Sequence, residues 1–312
     1  MKKKPPVGSA KLSNNNPRIL SASSASLRLC VMFFHLLLLL LSCKSAPEIV
    51  LEKDTLPLGT GASVYIFANV KEARPILNLL PIEELNNRQA KQMLDRTDFA
   101  AAAMFPQESG QRFQLAAWGK YPGISGLAFT FDKNWKKKRT ASGKSFWYSN
   151  KLSISMSSRQ AFAAISLNDV PADPLAAGAQ IPEDFNAFRR NAPLSCWLEN
   201  PAPVIDKILN EAGLPGFPVQ KLFINIFPAG ENYSPGLYEA IIRLQFENAS
   251  LGFGMAAILR MAGGFAANNI IASLFLANPP VHSGRNVDIK TAPLSEEELL
   301  FLFNTLLSTS AN

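Results

Sequence analysis

Apolar and polar positions change period along this chain in an order that repeats. Residues 62–69 (ASVYIFAN) form an apolar, β-branched and aromatic run of the kind that makes a buried strand. Helical spacing follows through Ile76, Leu77 and Leu80, then Leu85, with Pro81 as an expected break. Residues 98–105 and 112–118 alternate with period two around Pro106-Gln107-Glu108-Ser109-Gly110, which predicts a hairpin. A short helix is expected over 123–131. Residues 135–167 read as a meander with strands at 146–148, 152–156 and 162–167.

Beyond this point the order starts again. Pro171, Pro174 and Pro182 mark 171–192 as an expected linker. Residues 194–199 predict a strand running into Asn200, much as the first strand runs into Asn69. Helical spacing returns at Val204, Ile205, Ile208 and Leu209. A second hairpin is expected from 219–227 and 237–246, where Phe227-Pro228 echoes Phe105-Pro106. A helical region over 250–277, a strand over 286–290 and a helix over 295–307 complete the chain. Ser295 and Glu298 stand at capping-box spacing at the start of that helix. The pattern predicts an α+β fold of two divergent tandem β-α-β-β-α-β modules with mostly antiparallel sheets, at 62–170 and 193–312. Coincidental recurrence in one α+β domain is the competing reading.

The N-terminal segment has a different character. Residues 29–41 (LCVMFFHLLLLLL) are an apolar run of 13 behind Arg28. A membrane span needs about 20 such residues, so this length suits the core of a signal peptide. The run ends Leu40-Leu41-Ser42-Cys43, which resembles the bacterial lipobox, although Leu41 is bulkier than usual at its place, as in spirochaetes. The resemblance implies a signal peptide over 1–42 and acylation of Cys43, readable as palmitate incorporation. A lipidated tether over 43–61 follows, polar and interrupted by Pro and Gly. An uncleaved anchor with an incidental cysteine is the alternative.

Charge changes meaning once it is located. The net charge of +7 suggests a polyanion partner, but residues 1–42 hold six Lys and Arg and no Asp or Glu. Removing those six from 31 leaves 25 basic against 24 acidic residues, and no argument for nucleic acid. After Cys43 the one remaining cysteine is Cys196, which cannot form an intramolecular disulfide and reads as a buried strand residue.

Candidate chemistry is sparse. His282 is the one histidine after Cys43, too few for a zinc site, and no GxSxG, SxxK, HExxH or GxxxxGK pattern occurs. Glu296-Glu297-Glu298 follow Ser295, where a helix dipole favours negative charge, so they predict a helix start rather than a metal site. The expectation is a protein that is not an enzyme and holds no cofactor or metal.

Two segments stand out instead. Residues 248–284 carry one formal charge, Arg260, in 37 positions, where an 18% charged content would place about 7. Leu251, Met255, Ile258 and Leu259, then Ile270, Ile271, Leu274 and Phe275, keep helical spacing on either side of Gly263-Gly264. The spacing fits two amphipathic helices that cover a sheet, enter a lipid interface or line an apolar cavity. The second segment, Trp135-Lys136-Lys137-Lys138-Arg139, precedes Phe146-Trp147-Tyr148. Cations beside aromatics suit an anionic headgroup layer, and equally a solvated hairpin edge.

The lipobox, the nearly uncharged Gly-interrupted helices and the absence of catalytic motifs together resemble treponemal outer-membrane lipoproteins that enter bilayers through amphipathic helices. The resemblance implies anchoring at the periplasmic face of the outer membrane and contact with membrane lipid. It transfers no functional residue. The competing readings are an assembly module that binds another envelope protein and a carrier of a hydrophobic small molecule.

Overall fold

The computed structural model describes residues 55–79, 94–105, 112–121, 129–130, 133–141, 143–149, 152–157, 162–171, 178–202, 205–206, 216, 218–230, 234–263 and 277–309. Its first-half strands are β1 (Thr55–Leu56), β2 (Val64–Asn69), β3 (Thr97–Phe105), β4 (Arg112–Gly119), β5 (Lys136–Arg139), β6 (Ser145–Ser149), β7 (Leu152–Ser157) and β8 (Phe162–Leu167). The second half adds β9 (Ala179–Gln180), β10 (Leu194–Leu198), β11 (Lys221–Pro228), β12 (Tyr238–Gln245), β13 (Val281–Ser283) and β14 (Asn286–Lys290). The helices are α1 (Arg74–Leu77), α2 (Glu183–Arg189), α3 (Ala249–Gly263) and α4 (Glu296–Thr309). The architecture is α+β and mostly antiparallel sheet. The expected helical positions Leu80, Leu85, Val204, Ile208 and Leu209 lie outside the described residues, as does most of 123–131.

Both expected hairpins form. Ala101 faces Ala116 across β3 and β4, and Ile224 faces Ile242 across β11 and β12. Among the described residues the strands of the two halves join in one sheet of twelve, in the order β13-β14-β12-β11-β10-β2-β3-β4-β8-β7-β6-β5, while β1 and β9 pair apart from it. The join is β10 against β2, antiparallel, with Trp197 opposite Tyr65 and Cys196 opposite Ile66. Each half would otherwise leave its first strand as an open edge. Pairing the two edges satisfies both rows of backbone groups. Outward from the join, β2-β3-β4-β8 and β10-β11-β12-β14 follow the same order.

The expected linker over 171–192 is not one where it is described. β9 pairs with β1, and α2 follows directly, with Phe185 fully buried. Pro182 sits at the N-cap of α2, where its fixed φ is compatible with a helix start, so prolines there punctuate structure rather than loosen it.

Strand alternation divides the apolar side chains between two faces of the sheet. One face carries Val64, Leu198, Leu222, Leu244 and Val287, covered by α1, α3 and α4 through Ile76, Met255, Leu259, Leu299 and Leu302. The other carries Tyr65, Phe67, Trp197 and Phe223 under α2 and the β1–β9 ribbon, which contribute Phe185, Leu56, Leu58 and Ala179. The capping box closes as spaced: Ser295 N–H donates to Glu298 Oε2 at 2.7 Å and Glu298 N–H to Ser295 Oγ at 3.3 Å.

A polar cluster fixes α2 over β12. Asp184 accepts from Gln245 Nε2 at 2.8 Å and from Arg285 Nη2 at 2.6 Å, and these contacts lower its carboxyl below the usual range against opposing desolvation. A depressed carboxyl pKa gives stability that is present above the ordinary carboxylate range and lost as pH falls through the depressed value. Asp184→Asn is therefore expected to destabilise the protein at pH 7 and to become neutral in strong acid. The half-exposed position limits the effect to under about 1 kcal/mol. Urea midpoints at pH 7 and pH 3 check it.

Candidate membrane-contact surface

α3 is where the sequence pattern and the structure part company. Its stripe of Met255 and Leu259 is buried in the core, with Leu251 packed against it and Ile258 partly buried. Those four were named as lipid contacts, with covering a sheet as the competing reading of the same spacing. In this conformation Leu251, Met255 and Leu259 cover β13, β14 and the adjoining core instead, because that is where the sheet's own apolar face needs a lid. Gly252 makes the approach close. A Cβ there would lie 3.3 Å from Gly284 O and 3.3 Å from the His282 ring. The turn itself needs Gly284, whose φ is +59°.

The opposite side of α3 presents Phe253 and Met261, each 62% exposed. They stand eight residues apart, a little over two turns, on the same broad face. Arg260 is the one charge on α3, and its Nη2 donates to Pro280 O at 3.0 Å. Phe253 rests edge-on to His282 at 5.9 Å, and His282 Nε2 lies 3.2 Å from Ala249 O. Periodicity did not single out Phe253 and Met261 because α3 is apolar around most of its circumference. Only the position of the sheet shows which side stays outside. Ile270, Ile271, Leu274 and Phe275 lie outside the described residues.

The basic segment forms β5, the outermost strand at the far end of the sheet. Lys136, Lys137, Lys138 and Arg139 are all exposed. Alternation sends Lys136 and Lys138 to one face and Lys137 and Arg139 to the other, with Lys137 opposite Trp147. Lys138 Nζ sits 4.0 Å from the centroid of the Tyr148 ring. Four consecutive cations on an edge strand also discourage pairing with another chain. Trp135 was expected at a lipid interface but is buried, edge-on to Phe129 at 5.0 Å. Phe129, Trp135 and Trp147 form a small aromatic core beneath the edge, so the aromatics beside the lysines hold the hairpin together. Nine strands separate β14, under α3, from β5 in the sheet order, so strand pairing does not place the two segments side by side.

The remaining candidates for chemistry resolve into structure. Burial pushes the Cys196 thiol up to about 12, which leaves it protonated and inert as a nucleophile at neutral pH. Glu296, Glu297 and Glu298 form the first turn of α4. No group of His, Cys, Asp and Glu among the described residues could hold a metal ion, and no helix among them is long and apolar enough to cross a membrane. Cys43 lies outside the described residues.

Residues 54–173 match the family model described as outer membrane-associated lipoprotein TP0453. Crystal form I of TP0453 superimposes with a TM-score of 0.53 at 19% identity, over 80% of this chain and 96% of that one. Crystal form III gives 0.52 at 18% identity, over 81% and 99%. No curated protein matches the chain. The chain therefore resembles the treponemal outer-membrane lipoproteins, and at these identities the solved structures establish the fold.

Proposed function

We propose that this chain is a non-catalytic lipoprotein, anchored by lipid on Cys43 at the periplasmic face of the outer membrane, that rests on the bilayer through the outer side of α3. The carrying observation is that side's composition: Phe253 and Met261 exposed, with the helix's one charge turned to a backbone carbonyl. Large apolar side chains exposed on a helix with a single charge favour an interface over water. The outer-membrane association of the family that matches 54–173 supports the location. The match ends before α3, so the contact itself rests on the exposed side chains. β5 would add attraction to anionic headgroups, worth about 1 kcal/mol per cation near the surface. The common strand order of the two halves supports reading them as diverged copies of one β-α-β-β-α-β unit.

Two experiments test this. Cys43→Ala is expected to abolish palmitate labelling of the full chain, and labelling that persists would remove the anchor. On the Cys43→Ala background, Phe253→Asp with Met261→Asp should lose flotation with anionic vesicles at any salt while circular dichroism stays unchanged. Lys136→Gln, Lys137→Gln and Lys138→Gln together should weaken flotation by about 100-fold at low salt and far less at high salt, because Coulomb attraction is screened and apolar burial is not. If the Asp double variant floats like its parent, α3 is not the lipid contact. Its exposed side chains are then better read as a docking surface for another envelope protein.

A further inference from the structure

A cavity of about 320 Å³ lies where the ends of β2 and β10 meet the C-terminal end of α2. The backbone closes this corner: Asn69 N–H donates to Pro193 O at 2.9 Å, which ties the two strand ends together. Phe67 and Phe99 form apolar walls, and Arg189, Ser195 and Asn191 supply polar ones. Two of these polar groups are buried without a partner. Ser195 is 2% exposed, and its Oγ makes no hydrogen bond among the described residues. Arg189 Nε is buried and equally unpaired.

The rest of the Arg189 side chain is fixed in place. Its Nη2 donates to Asn186 Oδ1 at 2.7 Å, and its guanidinium carbon lies 4.7 Å from the Phe67 ring centroid. It has no ion-pair partner among the described residues, and burial alone lowers its pKa. A third unpaired atom, Asn225 Oδ1, is an acceptor and lies outside the cavity lining. Both unpaired groups that line the cavity, then, are groups that donate. At the mouth, exposed Arg190 and Glu72 carry opposite charges, leaving Arg189 to set the balance.

We infer that this cavity is a binding site for a singly charged oxyanion, a carboxylate or a phosphodiester, held by Arg189 Nε and the Ser195 hydroxyl against the Phe67 and Phe99 walls. An oxyanion presents acceptors to both donors at once and supplies the counter-charge that the half-buried guanidinium lacks. One positive charge inside a balanced rim fits a monoanion better than a dianion. The site is independent of α3 and of the lipid anchor. A phosphodiester reaches it either as a free small molecule or as a lipid headgroup.

The test is titration of the full chain in detergent with dimethyl phosphate and with acetate, followed by the Arg189 Nε–H resonance and by calorimetry. Saturable millimolar binding that shifts that resonance is expected for at least one of the two. Arg189→Gln should weaken it by about 10- to 100-fold and Ser195→Ala by a smaller factor, while Arg189→Lys should restore part of the loss. Phe253→Asp with Met261→Asp should leave it unchanged, which separates this site from the membrane reading. Phosphatidylglycerol vesicles that shift the same resonance, where phosphatidylcholine vesicles do not, would identify a headgroup as the source. A shift with the soluble anions alone would identify a free ligand. No saturable shift with any of these probes overturns the inference, as does unaltered affinity in Ser195→Ala and Arg189→Gln. Should Arg189→Gln fail to fold, Ser195→Ala decides, since deleting an unpaired hydroxyl from a strand leaves the ladder intact.

Discussion

Trp197→Ala is expected to destabilise the protein by about 3–5 kcal/mol, as truncation of a buried aromatic does. Trp197 is 1% exposed on β10, the strand through which the second half pairs with β2. Its indole stacks on Tyr65 at 4.1 Å and meets Phe185 at 5.3 Å and Phe67 at 6.4 Å. Its Nε1 donates to Glu199 Oε1 at 3.0 Å, so the change also removes one hydrogen bond. Three of these neighbours are aromatic rings held by separate elements, β2 and α2, and cannot all collapse into the space. The loss should appear as a lower urea midpoint with little change in slope. Trp197→Phe retains the stacking partner and should recover more than half of the loss. An alanine variant that melts with the wild type would mean that the seam between the halves is not packed as described.

The second large effect is expected from a single methyl group. In Gly178→Ala, the added Cβ would collide with Leu56 O and stand 2.7 Å from Leu56 C, both backbone atoms. No rotamer relieves that contact. The β1–β9 pairing must open, including the bond from Ala179 N–H to Leu58 O at 2.8 Å. Leu56 and Leu58, both fully buried, would then lose part of their cover. Overpacking of this kind typically costs about 1–3 kcal/mol, and partial exposure of two leucines brings the expectation to about 2–4 kcal/mol. Gly143→Ala is the control. Its φ of +81° is strained for alanine, but nothing lies within 4 Å of the new methyl, so only about 1–2 kcal/mol is expected. Protease cleavage near residue 55 should rise in Gly178→Ala and not in Gly143→Ala, because β1 is the first described element, a paired strand inside the stretch 43–61 that was expected to be a tether.

The sequence by itself determined the elements whose pattern is local. Local apolar patterning, with period-two alternation in the first hairpin, placed both hairpins and the strands of the meander to within a residue or two. The strand around Trp197 was legible because Leu194–Leu198 is apolar apart from Ser195, and all five residues are buried. Ser295 and Glu298 fixed the start of α4 because a capping box closes within one turn and needs nothing distant.

Only the tertiary structure decided which sides of these elements meet. β5 reads Lys136–Arg139, with no apolar alternation, and becomes a strand through its backbone ladder to β6. α2 has Phe185 and Phe188 as its anchors, too few for a periodic signal, and the prolines around it imitate a linker. For α3 the sequence supplied an apolar helix without an inside, because Phe253 and Met261 are as hydrophobic as Met255 and Leu259. The sheet made the choice by offering one surface, at β13 and β14, for one side of the helix to cover. The Arg189 cavity was silent for the same reason. Arg189 and Ser195 lie six residues apart on different elements, and each is ordinary alone. Packing α2 across β10 buries two donors in one corner, and burial without a partner is a property of the folded surroundings, not of the residue type.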